Sequence, residues 1–130
     1  MLKVTRLRLV ASFVGGLGLA ALAVPASGQA ETITVAGTVI DLYCYTQRKE
    51  HTGMHHGDAR ECALACVKYT SMPVGILTSD GRTYEIRGGL VANNNAKIAP
   101  YVTQRVRITG PVSLRDGMPT ITADDLTAVK

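Results

Sequence analysis

Residues 32–45 read Thr-Ile-Thr-Val-Ala-Gly-Thr-Val-Ile-Asp-Leu-Tyr-Cys-Tyr, and the way this stretch pairs decides the fold. Ile33, Val35 and Val39 alternate with Thr32, Thr34 and Thr38. A period of two is what a strand shows when one face is buried and the other meets water. The stretch is therefore expected to form one long strand from Thr32 to Tyr45. Gly37 interrupts it, as a bulge or tight bend would.

Downstream, Gln47 to Gly57 is polar, carries Gly53 and three histidines, and reads as a loop. Asp58 suits an N-cap, and Glu61 three residues later completes a capping box. The helix that follows is expected from Ala59 to Tyr69, stopping before Met72-Pro73. Val74 to Thr78 and Arg82 to Arg87 read as short strands joined by Asp80-Gly81, a strong hairpin signal. Gly88 to Pro100 is a connection with one helical turn around Asn94 to Ala99. Gln104 to Leu114 sets Val106 and Ile108 against Arg105, Arg107 and Thr109. Asp116-Gly117 turns the chain, and Thr120 to Val129 returns antiparallel, with Pro119 at its start. Asn93-Asn94-Asn95 reads as a polar turn and Asp124-Asp125 as a solvated strand edge. Five strands in about a hundred residues, the first bent at a glycine, imply a mainly β domain. The expected fold is a small five-stranded OB-like Greek-key barrel with an inserted cysteine-bearing helix after the first strand. An open sheet with one packed helix is the competing architecture. In the barrel, the first strand should pair with Val74 to Thr78.

Upstream, residues 1–30 have the three parts of a secretory signal peptide. Lys3, Arg6 and Arg8 precede an apolar stretch from Val10 to Val24, and Gly28-Gln29-Ala30 offers a cleavage site. The apolar run is about fifteen residues, short of the ~20 that a membrane-spanning helix needs. Cleavage is expected after Ala30, with Gly28 as the near alternative. The expected organisation is a signal peptide, 1–30, and one domain, 31–130. The product would be periplasmic or secreted, with no stable membrane anchor. The full chain has 14 Lys and Arg against 10 Asp and Glu, net +4. Three of the basic residues and none of the acidic ones lie in the leader, so residues 31–130 carry only +1. The basic balance is mostly a targeting signal and does not argue for nucleic acid. The only Phe, Phe13, is in the leader and Trp is absent, so a base-stacking surface is thinly supplied.

All three cysteines and all three histidines fall between positions 44 and 66. Cys62 and Cys66 are four apart on the expected helix, so their thiols share a face. Cys44 ends the first strand and reaches that face if the loop folds back. His55 and His56 sit just before the helix; His51 is mid-loop and the least suited. Three thiolates and an imidazole form a soft donor set for Zn or Cu, giving a candidate metal site of Cys44, Cys62, Cys66 and His55, with His56 the alternative to His55. A disulfide is the competing reading. Cys62 and Cys66 are a poor pair, since their Cβ atoms lie ~5–6 Å apart where a bridge needs about 3.8 Å. Cys44 would then pair with one of them and leave an odd thiol to be explained.

The string Gly37-x-Val39-x-Asp41-x-x-Cys44, a His-containing loop, Cys62-x3-Cys66, Pro73-Val74-Gly75-Ile76-Leu77 and Val106-x-Ile108-x-Gly110 resembles small exported bacterial OB-type proteins of unassigned function. The resemblance covers nearly all of residues 31–130. It implies a barrel and a cysteine–histidine cluster acting as a unit, and it implies no activity.

No G-x-S-x-G, Walker A or H-E-x-x-H sequence occurs. The reading is thus an exported small binding protein with a thiolate and imidazole metal site, serving metal handling or structure, rather than an enzyme. A catalytic zinc would need an open position and a nearby base. Glu50 or Glu61 could serve, so enzyme status stays open. The alternative is a disulfide-stabilised OB-type module that binds a peptide, glycan or protein partner.

Overall fold

A computed structural model describes residues 29–49 and 59–130. The leader up to residue 28, the expected N-cap Asp58, Glu50 and the histidines His51, His55 and His56 lie outside the described residues.

Strand β1 (Thr32–Asp41) does two jobs in succession. Its first part, Thr32 to Thr38, pairs antiparallel with β4 (Arg105–Arg115), and the Thr34 and Thr109 hydroxyls meet at 2.8 Å. Its second part, Thr38 to Asp41, pairs antiparallel with β2 (Val74–Leu77), as expected. Gly37 stands where one pairing hands over to the other. There is no bulge there, since the register with β4 runs unbroken through Gly37 and Val106. The glycine is required instead by a close approach: a Cβ would lie 2.4 Å from the Leu77 carbonyl oxygen.

β2 pairs antiparallel with β3 (Thr83–Arg87), β3 pairs parallel with β5 (Met118–Thr122), and β5 pairs antiparallel with β4. The order β1-β2-β3-β5-β4 closes back on β1. The domain is thus mainly β, a closed five-stranded barrel with few short helices, consistent with the OB-like architecture expected. Val39, Ile76, Ile86, Val106, Ile108 and Ile121 fill its interior. Both Asp-Gly turns fall where the sequence puts them. Asp116 and Gly117 each take positive φ, 50° and 79°, the geometry that a two-residue hairpin loop demands.

Two expectations need correction. The first strand ends at Asp41, and residues 42–45 are helical. The Asp41 carboxylate accepts the Cys44 N–H at 3.1 Å and caps α1 (Leu42–Gln47), an exchange of strand pairing for a capping bond. Leu42 and Tyr45 fold back on Ile40, forming a small apolar cluster separate from the main core. The final strand is broken into β5 and β6 (Leu126–Ala128). At the break, the Ala123 N–H donates to the Arg87 carbonyl and the Leu90 N–H donates to the Ala123 carbonyl. The chain is drawn towards β3, then rejoins β4 outside the barrel with Leu126 opposite Ile108. Asp124 is no idle edge residue: its carboxylate accepts the Gly89 N–H at 2.7 Å.

α2 (Ala59–Tyr69) has the expected bounds. It turns Ala63 and Val67 into the main core. Its C-terminal carbonyls are met by the asparagine run, whose residues take left-handed φ of 52°, 60° and 62°. Asparagine tolerates that region better than other non-glycine residues. The Asn95 amide, buried, donates to the carbonyls of Val67 at 2.7 Å and Met72 at 3.2 Å, and the Asn94 amide donates to the Lys68 carbonyl. The polar turn expected from Asn93 to Asn95 is therefore a cap for a distant helix. The connection's helical geometry lies at its ends, in Gly89–Val91 and Ala99–Tyr101.

Candidate metal centre

The end of β1, the start of α1 and the middle of α2 meet at one point. Asp41 closes β1, and Cys44 follows three residues later in the first turn of α1. Cys66 neighbours Val67, which anchors α2 in the core. The ligand atoms of Asp41, Cys44 and Cys66 all lie within 4.8 Å of one another. Asp41 is 2% exposed, while Cys44 and Cys66 are half-buried and Cys62 is exposed.

The surroundings oppose ionisation of the two thiols. Burial pushes the Cys44 thiol up to about 12, and the Asp41 carboxylate beside it acts in the same direction. Burial also pushes Cys66 up, with Asp41 and then the neighbouring Cys62 adding to it. Asp41 Oδ1 has its capping bond, but Oδ2 is the one buried side-chain nitrogen or oxygen among the described residues that no well-aligned hydrogen bond reaches, the Cys44 and Cys66 thiols being the side-chain donors beside the carboxylate. A buried polar group without a partner costs about 1–3 kcal/mol, more when charged. A divalent cation here would satisfy Oδ2, compensate the carboxylate and bring the thiols down to thiolates. One carboxylate and two thiols at this spacing fit such an ion.

Of the residues expected to converge, Cys44 and Cys66 do so. Cys62 sits one helical turn away and outside the group. His55 and His56 lie outside the described residues. All three cysteines are free; the Cys66 thiol has the Cys44 sulfur within 4.8 Å on one side and the Cys62 thiol as a neighbour on its own helix. Asp41 was not among the expected ligands. Its signal was an acidic residue set in the apolar run Val39-Ile40-Asp41-Leu42, three residues before a cysteine.

Beside α1 is an open cleft of about 610 Å³. Tyr43, Met72, Pro73, Arg87, Arg115 and Met118 are among the residues that line it. No protein-family model, curated protein or solved structure matches the chain.

Proposed function

We propose that this is an exported zinc-binding protein whose centre is Asp41, Cys44 and Cys66. The observation that carries the reading is the buried, unpartnered Asp41 carboxylate oxygen within 4.8 Å of two thiols. Both Zn and Cu were open on the thiol and imidazole set. The carboxylate favours Zn(II), which accepts mixed oxygen and sulfur donors, over Cu(I), which selects sulfur. Three protein donors leave the fourth position of a tetrahedral zinc open to an incoming ligand. Export follows from the form of residues 1–30, and it is the resemblance to small exported bacterial proteins that supports it further.

The test is native mass spectrometry and cobalt substitution of protein purified from the cell envelope. The expected result is one metal per chain and a thiolate-to-cobalt charge-transfer band, both abolished by Cys44→Ser and by Cys66→Ser. A metal-free mass lower by the two hydrogens of a disulfide would overturn it. That outcome would favour the second reading, in which the cysteines staple an OB-type module. The cleft beside α1 is the observation on its side, offering apolar and guanidinium groups to a peptide, glycan or protein partner.

A further inference from the structure

We propose that Cys62 is the exchange residue of this centre, the thiol through which zinc passes between the buried triad and an acceptor presenting a free thiolate or imidazole. The inference rests on the zinc reading above. Three observations carry it. Cys62 is exposed whereas Cys44 and Cys66 are half-buried, so it is the thiol an acceptor meets first. It lies outside the group formed by Asp41, Cys44 and Cys66, yet its thiol is a neighbour of the Cys66 thiol, so it stands beside the ion site without belonging to it. It is also one turn from Cys66 on α2, where side chains four apart are neighbours at ~5–6 Å between Cβ atoms. That spacing is too wide for a bridge and right for two sulfurs sharing one ion at ~2.3 Å each.

Cys66 is therefore common to two sites. One is the inner triad with Asp41 and Cys44. The other is an outer pair with Cys62 on the exposed face of the helix. In the exchange step, the Cys62 thiol gives its proton to solvent and its sulfur bonds the ion at the fourth position. The bonds to Asp41 and Cys44 then break, and Cys44 takes a proton from solvent. The ion, now held by Cys62 and Cys66, has open positions for the acceptor's donors. Zinc stays Zn(II) throughout, and no electron moves. A four-donor zinc without open positions exchanges slowly and is the mark of a structural site.

The experiment uses the purified chain loaded with zinc and a chromophoric chelator, 4-(2-pyridylazo)resorcinol, as acceptor. Stopped-flow absorbance gives the transfer rate, and equilibrium competition gives the affinity. For Cys62→Ser we expect transfer slowed by about tenfold or more with the dissociation constant changed by less than about threefold, because a hard hydroxyl replaces the exchanging thiolate while the triad persists. Cys62→Ala should behave alike, and its circular dichroism should match the parent. An affinity loss of about tenfold or more in either variant would make Cys62 a resident ligand and overturn the proposal. Unchanged rate and affinity would make it a bystander and also overturn it. Failure of the parent chain to bind zinc at all is the separate result that removes the zinc reading itself.

Discussion

Asp41 serves two structures with its two carboxylate oxygens. Oδ1 caps α1, and Oδ2 is left in the interior beside two thiols. The two uses can be separated by substitution. Asp41→Asn keeps an acceptor for the Cys44 N–H and removes the charge. Zinc affinity, measured by chelator competition, should fall by about 10–100-fold or more, while the metal-free protein should melt no lower than the parent. Asp41→Ala loses the cap as well, and the metal-free protein should then lose about 1 kcal/mol. The thiols give a second prediction, in pH. Without metal, the native Cys44 keeps its proton up to about pH 12, whereas a cysteine in the unfolded chain ionises near ~8.5. Between those values the native state binds more protons than the unfolded state, so stability falls as pH rises through that window and is constant below it. The melting temperature in chelator should drop from about pH 8 to about pH 10.5, and Cys44→Ala should flatten the decline. Zinc binding runs the other way, since the ion must displace both thiol protons: affinity should climb with pH and collapse in acid.

At the scale of elements, α2 is a helix whose last carbonyls are satisfied by side chains far away in sequence. Asn95→Ala would leave the Val67 and Met72 carbonyls without their donor and would force a left-handed alanine at φ 62°. Urea unfolding should show a loss of about 2–3 kcal/mol. Asn93→Gly, at an exposed position with φ 52°, should be close to neutral, because glycine occupies that region without strain. These same residues show how far the sequence could be read. α2 was legible, because its helical signals lie between a polar loop and a proline. The hairpins were legible from Asp-Gly, because glycine accepts without strain the positive φ that Gly81 and Gly117 adopt. The asparagine run was recognisable as a turn but not as a cap, since its partners are residues 67 to 72 and no local pattern records them. α1 was misread as strand because Leu42-Tyr43-Cys44-Tyr45 continues the apolar, aromatic run of the strand before it with no Gly or Pro to stop it. The capping bond of Asp41, local at three residues, ends the strand in competition with further pairing across to β2. The break before β6 was hidden because it is set by backbone bonds to Arg87 and Leu90. Asp41 was seen as part of a motif and overlooked as a ligand, because a carboxylate in a strand becomes informative only when its burial is known.

At the scale of the molecule, the barrel depends on strands passing very close to one another. A Cβ on Gly110 would lie 1.8 Å from the Thr122 carbonyl oxygen, which is backbone and cannot swing aside. Gly110→Ala should therefore cost more than about 3 kcal/mol, read as a lowered urea midpoint. Closure of that barrel also fixes an order of events in time. The contact between Thr34 and Thr109 spans 75 residues, and distant pairings of this kind make a chain slow to fold. Asp41, Cys44 and Cys66 lie far nearer to one another along the chain, so the entropy of bringing them together is smaller. An ion present during refolding can gather the cysteine helix onto the end of the first strand before the fourth strand arrives to seal the barrel. Zinc should then raise the refolding rate in stopped-flow experiments as well as slow unfolding, and Cys66→Ser should erase the acceleration. The centre would in that case be a seed for the fold as well as a product of it.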